Sequence, residues 1–106
     1  MNDSYITITG CQHYFGSKIL KVAQIVKLRK ELDNQYDDEA IAVQLESVGK
    51  IGYVANSTYT VAHGTKSAGR IYDSFNDECH ASICFIVKDT AIAIVLKESD
   101  KINASS

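Results

Sequence analysis

Short runs in which every second residue is apolar recur along this chain, and they constrain its fold more than any other feature. Residues 5–9 alternate Ile6 and Ile8 against Tyr5, Thr7 and Thr9, the period of a strand with one buried face. Residues 40–46 set Ile41, Val43 and Leu45 against Ala42, Gln44 and Glu46. Ser47-Val48-Gly49 then reads as a tight turn into residues 50–54, which predicts a hairpin. Residues 91–96 set Ile92, Ile94 and Leu96 against Ala91, Ala93 and Val95. Ile92 and Ile94 are expected to share one core with Ile41 and Val43. Residues 70–75 and 80–87 read as two further strands around the turn-rich Asn76-Asp77-Glu78. Residues 56–63 read as a short helix, with Asn56 as N-cap and Gly64 just past its end. Residues 19–28 suit a helix or a strand, with the β-branched Val22, Ile25 and Val26 leaning toward strand.

Five or six short strands with close turns and one or two short helices make a mainly β chain, a small barrel or sandwich. Missing helical crossovers argue against a doubly wound parallel sheet. The 106 residues fit one domain, 1–97, with residues 98–106 expected as a polar tail. Lys and Arg number 11 against 13 Asp and Glu, a net charge of −2, which argues against a cation-coated surface gripping a long nucleic-acid backbone. No apolar run approaches the ~18 residues of a membrane span, and residues 1–4 lack a signal-peptide pattern. Three cysteines, Cys11, Cys79 and Cys84, form no disulfide framework. A cytoplasmic, reducing setting is expected.

Cys11-x-His13 and Cys79-His80 miss the usual zinc spacings, and Cys84, between Ile83 and Phe85, reads as a small core residue. The acidic run 33–39 departs from a calcium loop, because Asp38 stands where that loop needs Gly. A solvated connection explains its charge but not Tyr36, an aromatic set among turn-forming polar residues. The first loop, 10–16, likewise holds three ring side chains, His13, Tyr14 and Phe15, between two glycines. They suit a satellite cluster under the loop or a stacking platform for a nucleobase.

Ile8-Thr9-Gly10, His13-Tyr14-Phe15-Gly16, Lys27-Leu28-Arg29, Asn34-Gln35-Tyr36-Asp37, Ala40-Ile41-Ala42-Val43 and Ile51-Gly52-Tyr53-Val54 together resemble the HIRAN domain family. That family occurs at the start of certain SWI/SNF-related DNA translocases and as small stand-alone bacterial proteins. The matching motifs lie within residues 5–56. The resemblance implies an OB-like barrel of about six strands with one or two short helices, and makes residues 21–29 a strand. It also implies a non-catalytic module, without metal or cofactor, that holds the 3′-hydroxyl end of single-stranded DNA. Aromatic rings would meet the terminal bases, a carboxylate the terminal hydroxyl, and basic side chains the phosphate. Carried onto this chain, Tyr36 becomes a base-stacking ring and Asp37 the hydroxyl acceptor. Gln12, His13, Tyr14, Tyr53 and Asn56 complete the candidate contacts.

Three positions depart from the DNA-binding pattern. Gln12 and His13 stand where those members carry Arg then Tyr, and Asn56 stands where they carry Lys. Losing two cations weakens the expected grip on phosphate, although His13 keeps a ring able to stack, and Lys18 or Lys66 are candidate replacements. The expected partner is therefore a weakly held single-stranded DNA end, with a DNA-processing enzyme acting in trans. The alternative is a protein-interaction or small-ligand module on the same barrel. A metal-dependent hydrolase ranks last, since Asp37, Asp38 and Glu39 are consecutive rather than converging. Oligomeric state is not legible.

Overall fold

The computed structural model describes residues 4–10 and 17–96. Among them, six strands close into one barrel: β1 (Tyr5–Thr9), β2 (Ile25–Lys30), β3 (Ile41–Leu45), β4 (Gly49–Val54), β5 (Glu78–Val87) and β6 (Thr90–Val95). Their order around the barrel is β1-β4-β3-β2-β5-β6, with every neighbouring pair antiparallel. One short helix, α1 (Ala68–Ile71), and two 3₁₀ turns, Ser17–Ile19 and Tyr72–Ser74, complete the regular structure. The mainly β, OB-like architecture expected from the sequence is the one observed.

Alternation fills the barrel as the patterns require on β1 to β4. Ile6, Ile8, Val26, Leu28, Ile41, Val43 and Ile51 are all buried, each contributing about 1.5–3 kcal/mol through removal from water. On β6 the expectation is reversed: Ala91 and Ala93 are buried in the core, while Ile92 and Ile94 face outward and are half-buried. The registry explains why. Ala93 lies opposite Ile83 and Ala91 opposite Ile86, and those two isoleucines already fill the space that β6 faces. Only small residues fit across from them.

Two strands carry a bulge. Val43 pairs with Gly52 and Gln44 with Lys50, so Ile51 is an extra residue on β4. Ile83 pairs with Ala93 and Phe85 with Ile92, so Cys84 is extra on β5. Each bulge puts residues three apart on the same face, where a regular strand would oppose them. Cys84 is therefore a half-buried bulge residue rather than a core one, its Sγ donating to the Ser82 carbonyl at 3.6 Å.

Three local expectations are corrected. Residues 70–75 are not a strand but α1 and the 3₁₀ turn after it. Ser67 Oγ accepts from Arg70 N at 3.3 Å and caps the helix, and Ala68 and Ile71 are its buried positions. Residues 56–63 form turns rather than a helix. Ser57, not Asn56, takes the capping role there, its Oγ accepting from Tyr59 N at 3.1 Å and its carbonyl from Thr60 N and Val61 N, each at 2.9 Å. Residues 21–29 are strand only from Ile25, because Ala23 adopts φ +72° in the turn before it. The segment after the 56–63 turns runs alongside β1, Lys66 bridging Ile6 in parallel fashion, and is pinned by buried Thr7. Its Oγ1 meets Thr65 Oγ1 at 2.8 Å and accepts from Ala62 N at 3.0 Å.

Candidate nucleic-acid interface

The β2–β3 connection is shaped by one asparagine. Asn34 Oδ1 accepts from both Tyr36 N, at 2.8 Å, and Asp37 N, at 2.9 Å, an Asx turn that fixes the next residues without a glycine. Glu31 N donates to the Ala40 carbonyl at 2.9 Å and closes the loop at its base. Tyr36 stands at the tip with 98% of its surface exposed. Asp37 beside it is half-buried. Its Oδ1 accepts from Glu39 N at 2.9 Å, and its Oδ2 accepts from Asn56 Nδ2 at 3.3 Å.

Asn56 joins three parts of the chain. Besides Asp37, its Nδ2 reaches Glu39 Oε1 at 3.3 Å, and its Oδ1 accepts from Gly69 N at 2.9 Å. A Cβ on Gly69 would stand 2.5 Å from Glu39 Oε1, so the glycine is what lets this carboxylate lie against α1. A neutral amide, not a cation, therefore joins the two carboxylates to α1. Among the described residues, no ion pair involves Asp33, Asp37, Asp38 or Glu39. The tip is electronegative.

The base of the loop is clamped from β4. Because Ile51 is bulged, Lys50 and Tyr53 share the outer face, and Lys50 Nζ donates to the Tyr53 hydroxyl at 2.8 Å. That hydroxyl donates to Glu31 Oε1 at 2.8 Å, which also accepts from Asn34 Nδ2 at 3.1 Å. Lys50 pairs with Glu31 Oε2 as well. Burial alone would raise the Glu31 carboxyl, yet the hydrogen bonds from Lys50, Tyr53 and Asn34 together hold it below the usual carboxylate range. The same bond to Glu31, reinforced by Tyr53, raises Lys50 above an ordinary lysine.

Of the residues singled out from the sequence, the structure brings together Asp37 and Asn56 directly, and connects Tyr36 and Tyr53 to them through Asn34 and Glu31. Gln12, His13 and Tyr14 lie outside the described residues. Of the two candidate replacement cations, Lys66 Nζ donates to Ser4 Oγ at 3.1 Å and Lys18 is exposed. Sequence reasoning missed Glu31, Lys50, Glu39 and Gly69. The Lys50-x-x-Tyr53 spacing hides its pairing until the bulge is known. A second feature missed is Lys30, whose Nζ lies 4.3 Å from the Tyr72 ring centre and 4.7 Å from that of Phe75, and donates to the Phe75 carbonyl at 2.7 Å. It borders an open hollow of about 620 Å³ shared with Leu32, Asp73 and Asp77. Burial pushes the nearby Cys79 thiol up to about 12 despite the lowering charge of Lys30, which disfavours a nucleophilic thiolate. Among the described residues, no three His, Cys, Asp or Glu side chains gather to hold a metal.

The barrel resembles two solved structures, with likeness of fold rather than of sequence. A protein from Lactobacillus plantarum has 20% identity and a TM-score of 0.61, over 87% of this chain and 88% of that one. The HIRAN domain of human HLTF has 17% identity and a TM-score of 0.60, over 98% of this chain and 84% of that one. No curated protein matches the sequence significantly. The profile of the HIRAN domain matches residues 1–84, and on that span this chain belongs to the HIRAN domain family.

Proposed function

We propose that this domain is a non-catalytic binding module that recognises single-stranded DNA at a free 3′-hydroxyl end. The observation that carries the proposal is the Asx turn, which fixes the backbone of two consecutive residues, the fully exposed Tyr36 and the half-buried Asp37. Family membership supports a nucleic-acid-binding role. A base stacked on Tyr36 gains about 1–3 kcal/mol, and a hydroxyl donating to Asp37 adds about 1.5–3 kcal/mol as a charge-assisted bond. Asp37 Oδ2 is the oxygen with more capacity left, since it accepts only from Asn56 Nδ2, whereas Oδ1 accepts from both Glu39 N and Asn56 Nδ2. His13 and Tyr14 serve as further rings, with Gln12 and Asn56 as neutral polar contacts. Ordering the strand end consumes part of the gain, which places the affinity on the order of micromolar to millimolar. The setting is a cytoplasmic DNA-repair step in which the domain presents an end to a processing enzyme in trans.

The carboxylates supply specificity. A 3′-phosphate would bring its charge against Asp37 and Glu39, with only the Asn56 amide between them, so it is disfavoured. The test is a binding titration of one labelled oligonucleotide ending in a 3′-hydroxyl, a 3′-phosphate or a 5′-phosphate. Tyr36→Ala and Asp37→Ala serve as controls. Preference for the 3′-hydroxyl end, lost in both variants, is expected. Equal binding of hydroxyl and phosphate ends sinks the end-recognition mechanism. Binding to none of them favours the competing protein-interaction or small-ligand reading, which the lack, among the described residues, of a cation paired with the tip carboxylates supports.

A further inference from the structure

The outer face of β5, β6 and their neighbours is apolar, and the registry makes it continuous. Ile25 pairs with Ser82, Ser82 with Ile94, and Ile94 with Tyr5, which lines these four side chains in one row across four strands. Phe85 pairs with Ile92 in the next row. The Cys84 bulge puts Ser82 and Phe85 on this same side. Phe85 is 62% exposed, Ile25 45% and Tyr5 38%, with Ile92 and Ile94 half-buried. The two rows are contiguous and hold no charged side chain, unlike apolar residues scattered singly over a surface.

We infer that this face is the interface of a weak homodimer, in which a second copy of the chain packs against it in two-fold fashion. Charge favours that occupant. The rim carries both signs, with Lys27, Arg29 and Glu78 at one end, their ion pairs at 3.8 Å, and Lys88 and Asp89 at the hairpin tip. Apposing the face with itself therefore sets no excess of like charge together, although the chain as a whole is negative. A nucleic acid needs cations over its phosphates, and the two rows offer none.

Shape favours it too. Ser82 is a small residue set between Ile25 and Ile94, and the protruding Phe85 ring stands on the same strand. Under a two-fold rotation each ring meets the other copy's dent, the self-complementarity an isologous contact requires. The closed barrel has no free sheet edge, so face-to-face packing is the route left for the strands to associate. Stable dimers bury about 800 Å² per partner, and the apolar rows alone fall short of that, so the association is weak and reversible.

Sedimentation of the full chain without nucleic acid, from about 20 µM to about 1 mM, tests the inference separately from end recognition. A rise in average mass toward twice the monomer is expected. Phe85→Glu and Ile25→Lys change exposed side chains and should each abolish the rise, while Leu32→Lys, an exposed apolar residue elsewhere, should leave it intact. Isotope-filtered NOEs between the Phe85 ring and the Ile92 or Ile94 methyls of the other copy should appear in the unmodified protein. A monomer at every concentration overturns the inference. So does a dimer indifferent to both patch variants, or one whose intermolecular NOEs arise elsewhere.

Discussion

The β3–β4 and β5–β6 hairpins use the same backbone device to opposite ends. Each inserts one extra residue, Ile51 in the first and Cys84 in the second, and each thereby brings side chains three apart onto the outer face. On β4 the pair so joined is Lys50 and Tyr53, whose donors converge on Glu31 and brace the Tyr36 loop. On β5 it is Ser82 and Phe85, which extend an apolar face and, among the described residues, brace no polar loop. A bulge sets which residues meet; their chemistry decides whether the meeting organises a polar loop or leaves a packing surface.

The largest expected effect separates the inside of the second hairpin from its outside. Ile83→Ala, at a fully buried position, should cost about 2–5 kcal/mol through lost burial and a cavity. Ile94→Ala on the outer face should cost no more than about 1 kcal/mol. Urea midpoints of the two variants check this, and equal costs would erase the difference between the faces. Next comes the clamp of the first hairpin. Glu31→Ala removes the acceptor of the Tyr53 hydroxyl and the carboxylate paired with Lys50, leaving only their bond to each other, and should cost about 1–3 kcal/mol. It should also speed amide exchange at Tyr36 and Asp37, whose shared acceptor Asn34 loses its tether. Unchanged exchange there would show that the Asx turn stands without the clamp.

How much of this was legible in the sequence depends on the strand. On β1 and β3 alternation picks out the inward Ile6, Ile8, Ile41, Val43 and Leu45 correctly, although Thr7 and Ala42 on the opposite face are buried as well. On β6 both faces are apolar, and size had to decide. Bulk suggests an inward Ile92 and Ile94, but the space was already taken by Ile83 and Ile86, residues distant in sequence. Of the candidate site, Tyr36 and Asp37 announce themselves as an aromatic and a carboxylate in a turn. Glu31 does not, since its partners Lys50 and Tyr53 lie on another strand and share a face only through the bulge. The cap at Ser67 was masked by the strand-like run after it, whose Ile71 and Phe75 are spaced as well for a helix.

A pH titration sharpens the same comparison with a smaller effect. Glu31 titrates below its ordinary value near 4.3. Its stabilisation is therefore complete above that value and drains as pH falls through the lower folded value. Melting curves of the parent and Glu31→Gln should converge as pH drops below about 4. Lys50, raised in the folded state, holds its contribution below about 10.4 and loses it only at still higher pH. The smallest effect concerns the loop tip. Asn56→Lys places a cation beside Asp37 and Glu39, and should tighten oligonucleotide binding with a salt dependence steeper by about one counterion. It also removes the acceptor of Gly69 N, so a stability loss of about 0.5–1.5 kcal/mol should accompany the gain. Tighter binding with an unchanged salt slope would place the new ammonium away from the phosphates.

Closure of the barrel also sets a timetable. β1 finds its partners only in β4 and β6, and β2 pairs with β5 as well as β3. The β2-β3-β4 meander and the β5–β6 hairpin join immediate successors, but the remaining three pairings, β1–β4, β1–β6 and β2–β5, do not. During synthesis the first strand must therefore wait until Val54 has left the ribosome for its first partner, and until Val95 has left it for its second. Such long-range pairing slows folding relative to a helical chain of equal length. The waiting β1, with Ile6 and Ile8 uncovered, is then the segment most exposed to chaperones and to misassembly.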